Sequence, residues 1–108
     1  ELKINLPEAP DPVGSYVAFK KINNLLYISG QLPIGKDGKI IKGKIGKNLS
    51  LEDGKEASRL CVLNIIAQAK KAMDGNLDKI KGCINYDTVI SFLARKSIQI
   101  FYKKYLAL

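Results

Sequence analysis

A chain of 108 residues with 46% hydrophobic and 26% charged residues has the composition of a single globular domain, and one of this size buries only ~60–70% of its unfolded surface. No apolar run approaches the ~20 residues of a membrane span, and two cysteines without C-x-x-C spacing in a chain without histidine support neither a disulfide framework nor a metal site. The net charge of +8 raises nucleic acid as a partner, but the lysines are scattered and no stacking aromatics accompany them, so no specific nucleic-acid partner is expected.

In chain order, Leu2 to Pro12 is a lead-in punctuated by Pro7, Pro10 and Pro12, expected to lie extended over the body of the domain. Gly14-Ser15-Tyr16 opens a first strand running to about Lys20. Asn23-Asn24 makes a turn, because asparagine tolerates left-handed conformations, and Leu25 to Ser29 forms the second strand of a hairpin. At its end Ser29, Gly30 and Gln31 bring together a hydroxyl, a bare backbone and an amide, and Pro33 stops the ladder for want of an N–H. That break reads in two ways, as a ligand site at a strand end or as a glycine bulge before a turn. Lys36 to Lys39 is a further turn, and Ile40, Ile41 and Ile45 suggest a short strand interrupted by Gly43.

The long helix is predicted from about Leu51 to Met73. Ser50 can cap it with Asp53 three residues on, Glu52 suits the dipole, and the segment ends near Gly75. Ala57, Leu60, Cys61, Ile65 and Ala69 form its apolar face. Asn64 and Gln68 sit at the margin of that face, to reach backbone groups there or to meet a neighbour in an oligomer. Cys61 and Cys83 read as small core thiols in a reducing compartment. A strand follows from Gly82 to Ile90, and Ile98, Phe101, Tyr102 and Tyr105 at helical spacing predict a second helix over Ser97 to Leu106. The sum is an α+β fold, a single mixed β-sheet with two helices packed on one face. The residues from Glu1 are mixed polar and apolar and do not read as a signal peptide, which gives a cytoplasmic expectation.

Pro12-Val13-Gly14-Ser15-Tyr16, and then Asn24 through Pro33, closely resemble the opening of the YjgF/RidA family of reactive enamine/imine deaminases. The Gly43 to Gly46 turn, the Leu49-Ser50 start of the helix and the Ala57 to Ala67 stretch also resemble its subgroup with a Leu-Pro-Glu-Ala-Pro start, here Leu6 to Pro10. The resemblance is specific from about Leu6 to Ile84. It implies a chorismate-mutase-like fold, a homotrimer with ligand sites between subunits, and hydrolysis of 2-aminoacrylate-type enamines or imines (2-iminopropanoate, 2-iminobutanoate) to keto acid and ammonia without cofactor or metal. By the same resemblance Ser29 and Gly30 are candidate catalytic residues, and Tyr16 and Gln31 candidate substrate-binding residues.

In the family the substrate carboxylate meets an arginine in a Pro-x-Arg-Ser-type segment, followed by a closing strand with a glutamate. This chain shows neither by Leu108. Its two arginines, Arg59 and Arg95, fall outside the motif, and lysine is only a partial substitute. The expectation is a single domain over residues 1–108 that lacks the family's C-terminal strands and deaminates poorly. The alternatives are a non-catalytic small-molecule-binding or interaction protein on the trimeric scaffold, and, with only positive charge behind it, an RNA-directed translation inhibitor or ribonuclease.

Overall fold

The structure, a computed structural model, describes residues 4–91 and 99–107. Strands β1 (Phe19–Ile22) and β2 (Leu25–Gln31) form a hairpin, α1 (Leu51–Ala72) follows, and after a 3-10 turn at Leu77–Lys79 come β3 (Gly82–Ser91) and β4 (Gln99–Ala107). The sheet order is β1-β2-β4-β3. All three ladders are antiparallel, where a mixed sheet was expected.

The hairpin forms because Asn23 takes the left-handed turn, with φ of 51°, as few residues other than glycine do readily. β2 then alternates. Leu26 and Ile28 are buried against α1, and their cross-strand partners Lys21 and Phe19 share that face. Phe19 packs on the core, while Lys21 extends its ammonium to the Ala72 carbonyl at 2.8 Å. A cation thereby meets the negative end of the helix dipole and one of its unpaired carbonyls.

Helix α1 starts where the sequence says it should. The Asp53 N–H donates to Ser50 Oγ at 3.1 Å, and the Ser50 N–H donates to the Asp53 carboxylate at 2.8 Å, a reciprocal capping box. The Ser50 hydroxyl also donates to that carboxylate, and these bonds hold the Asp53 carboxyl below its ordinary pKa. At the other end Asp74 and Gly75 both have positive φ, and the Gly75 N–H returns to the Lys70 carbonyl at 2.9 Å. The stripe Ala57, Cys61, Ile65, Ala69, Ala72 and Met73 packs on Leu26 and Ile28. Its small residues let the helix lie close over β2 and β4.

Three expectations are corrected. The first strand begins at Phe19 rather than Gly14, because the chain bends there, with the Tyr16 N–H donating to the Gly14 carbonyl. Ile40 and Ile45 make isolated bridges to Ile34 and Leu49 instead of a strand, since Gly43 and Gly46 at φ of 153° and 82° break the ladder. The second helix is replaced over Gln99–Ala107 by β4, so α1 is the one α-helix among the described residues. A short apolar pattern fits helix or strand equally well, and here β-branched and aromatic composition, with paired strands on both sides, decides for the strand. Residues 97 and 98 of that expected helix lie outside the described residues.

Cys61 is fully buried and Cys83 exposed. Burial pushes the Cys61 thiol up to about 12, so it stays protonated and unreactive in the fold. Native protein should take one equivalent of a thiol reagent, at Cys83, and a second only in denaturant. Because the folded-state pKa is the higher one, the contribution of Cys61 to stability is complete below the ordinary thiol pKa and lost as pH rises towards 12. Rapid labelling of both cysteines at neutral pH would contradict this packing.

Candidate functional site

The end of β2 carries the first half of the site. Ile28 pairs with Lys104 and Gln31 with Tyr102, so the register slips by one residue at Ser29-Gly30. This is a β-bulge, which bends a strand and re-aims the side chains beyond it. The Ser29 hydroxyl donates to the Val17 carbonyl, and its N–H to the Ala18 carbonyl at 2.9 Å. The approach to β1 is fastened by these two bonds. Gln31 is buried, and its Nε2 donates to the Ser29 carbonyl at 3.1 Å.

Beyond Gln31 the chain leaves the ladder and its carbonyls need donors from elsewhere. Asn64, 2% exposed on α1, supplies them from one amide group, to the Leu32 carbonyl at 2.9 Å and the Ile34 carbonyl at 3.2 Å. One helical turn later, Gln68 donates from Nε2 to the Pro10 carbonyl at 2.6 Å. That bond ties the proline-rich lead-in to the helix.

Between these two fastened segments lies a small cleft with a cavity volume of about 10 Å³, room for about one water, lined among others by Pro10, Asp11, Tyr16, Gly30, Gln31 and Gln68. Tyr16 is 46% exposed and offers a phenol able to donate or accept. Val13, also in the lining, and neighbouring Val17 are exposed. Asp11 is the only acidic residue in the lining, and no lysine or arginine contributes to it among the described residues.

Of the residues singled out from sequence, Tyr16, Gly30 and Gln31 come together here. Ser29 does not line the pocket, because its hydroxyl hydrogen goes to Val17. Gly30 has no positive φ, so its backbone conformation does not by itself require a glycine. Sequence reasoning missed Asp11 and Gln68 as lining residues; the signal for Gln68 was an amide at the margin of an apolar helix face. Arg59 is exposed on α1 and paired with Glu56 at 3.2 Å, and Arg95 lies outside the described residues. No group of three or more His, Cys, Asp or Glu side chains gathers around a common point among the described residues. No helix there is long and apolar enough to cross a membrane.

Comparison with known proteins gives a family match over residues 2–102, to the model described as "YjgF/chorismate_mutase-like, putative endoribonuclease". Protein TCP17 of Trypanosoma cruzi is 32% identical over 90 residues, 83% of this chain and 56% of its own length. A RutC family protein of Sulfurisphaera tokodaii is 49% identical over 39 residues, 35% of this chain and 31% of its own length. The chain thus spans about half the first relative and less of the second. A crystal structure from Shewanella oneidensis, titled a "putative endoribonuclease", superposes with a TM-score of 0.80 at 24% identity, over 97% of this chain and 93% of that one. At that identity the likeness is one of fold.

The Asn64 amide predicts its own test. Asn64→Ala removes a donor from two carbonyls and leaves that of Ile34 unmatched near the core, since Leu32 keeps the Ile34 N–H, a loss of about 1–3 kcal/mol. Chemical denaturation should show it as a lower midpoint with an unchanged slope. A variant as stable as the parent would mean that the segment after β2 is held by something else.

Proposed function

This chain belongs to the YjgF/chorismate-mutase-like family, and we propose that it hydrolyses small enamines or imines of the 2-aminoacrylate type at the pocket beside the β2 bulge. The observation carrying this reading is the meeting of Tyr16, Gly30 and Gln31 in the lining of one small cleft. In imine hydrolysis water adds to the carbon of the C=N bond to give a carbinolamine. Its C–N bond then breaks, ammonia leaves with the proton it needs, and the keto acid remains. The task calls for a positioned water and a proton donor beside nitrogen. Tyr16 is the donor in this scheme, and the Gly30 backbone lets substrate approach closely.

Among the described residues the lining holds no cation that would clamp a substrate carboxylate. A charge-assisted hydrogen bond contributes roughly 1.5–3 kcal/mol, so turnover should fall about ten- to a hundredfold below that of a relative with an arginine there. The same lining favours a second reading, a ligand-binding protein without catalysis. Keto acid release from imines generated in situ separates the two. The proposal expects slow turnover, lower again in Tyr16→Phe. Turnover equal to that of the arginine-bearing relative would refute the clamp argument, and turnover no faster than buffer would leave the binding reading.

The site is also proposed to lie between the subunits of a homotrimer in the cytoplasm. Support comes from Val13, Tyr16 and Val17, apolar or aromatic side chains exposed together around the pocket, which a second copy could cover. Light scattering should give three times the chain mass, whereas a monomer mass at all concentrations would remove the intersubunit site.

A further inference from the structure

Helix α1 carries apolar side chains on more than one face. Ala57, Cys61, Ile65 and Ala69 belong to the core against the sheet, whereas Leu60 and Leu63 stand outside that cluster, half-buried, on the flank they share by helical period with Glu56 and Arg59. Apolar residues on the outer flank of an amphipathic helix need a partner. The lead-in at Pro7 and the turn at Ile34 supply part of the cover, and between them and the helix remains a cavity of about 520 Å³, within the range of small-molecule sites. Two cations, Lys36 and Arg59, line it against one carboxylate, Glu56. Arg59 donates one N–H to Glu56 at 3.2 Å, out of the five a guanidinium offers, and its side chain is 62% exposed. Lys36 is exposed and has no ion-pair partner among the described residues. Both cations are open to a ligand.

We propose that this cavity is a second ligand site and takes a small aliphatic carboxylate, its charged head on Arg59 and Lys36 and its tail along Leu60, Leu63 and Ile34. A guanidinium with a free edge receives a carboxylate through two parallel hydrogen bonds, and Lys36 supplies the positive charge that offsets Glu56. An uncharged apolar ligand leaves both cations unused, and an ammonium ligand meets two like charges. From Arg59 to Leu63 the helix rises about 6 Å, the reach of a tail of roughly five carbons. The site depends neither on imine hydrolysis at the Tyr16 cleft nor on a trimer.

Hexanoate, hexylammonium and acetate, titrated separately into the ¹⁵N-labelled chain, test it. Hexylammonium keeps the tail and reverses the charge, and acetate keeps the charge without the tail. Hexanoate should shift the Arg59 Nε–H and the backbone amides of Lys36, Leu60 and Leu63 saturably, and bind at least about tenfold more tightly than either control. Because acetate carries the same charge, attraction by the overall +8 cannot produce that margin. Arg59→Gln and Lys36→Gln, both at exposed positions, should each weaken hexanoate binding several-fold. Lys47→Gln, exposed and outside the lining, removes the same charge and should leave binding unchanged. Acetate or hexylammonium binding as tightly as hexanoate, an equal effect in all three variants, or shifts confined to Gly30 and Gln31 beside the other cleft would overturn the proposal.

Discussion

Two amide side chains on α1, Asn64 and Gln68, hold the functional half of this molecule in place. Both are buried, and each spends its N–H₂ group on carbonyls of a segment that has left regular structure. The segment after β2 pairs only part of its own backbone, Leu32 with Ile34 and Pro33 with Ile41, and where irregular backbone packs against a core side chains supply donors that it lacks. Here one helix turn supplies them to two segments far apart in sequence. The pocket is the gap between those segments.

The β2 bulge does the complementary work from the sheet side. A regular strand would carry Ser29, Gly30 and Gln31 on alternating faces. The slip opposite β4 lets Gly30 and Gln31 both border the pocket, while the Ser29 hydroxyl is drawn to Val17. That bond helps keep residues 16–18 beside β2, and with them Tyr16. The two readings of this strand end, bulge and ligand site, are thus one device, since the bulge aims the residues that line the pocket.

What was legible in the sequence was local chemistry. Ser50 and Asp53 announced the capping box, Asn23 the hairpin turn and Gly75 the helix end, because each is decided by a few neighbouring atoms. The polar margin of α1 was also legible, and of its two readings the contact with backbone groups is the one the structure shows. Gln99–Ala107 was not, because apolar spacing over so short a run does not choose between helix and strand, and pairing with β2 and β3 does. Nor was the part Asp11 and Gln68 play in the pocket. It depends on where the lead-in crosses the helix, a contact between residues 58 positions apart, which no local pattern encodes.

The central claim, that paired amides on one helix turn fasten the walls of the pocket, is tested most directly by the nuclear Overhauser pattern of the two side-chain amides. The account predicts slow-exchanging Nδ2 protons of Asn64 close to Leu32 through Ile34, and slow-exchanging Nε2 protons of Gln68 close to Pro10 and Asp11. Side-chain amides that exchange at solvent rates, with contacts confined to their own helix, would contradict it.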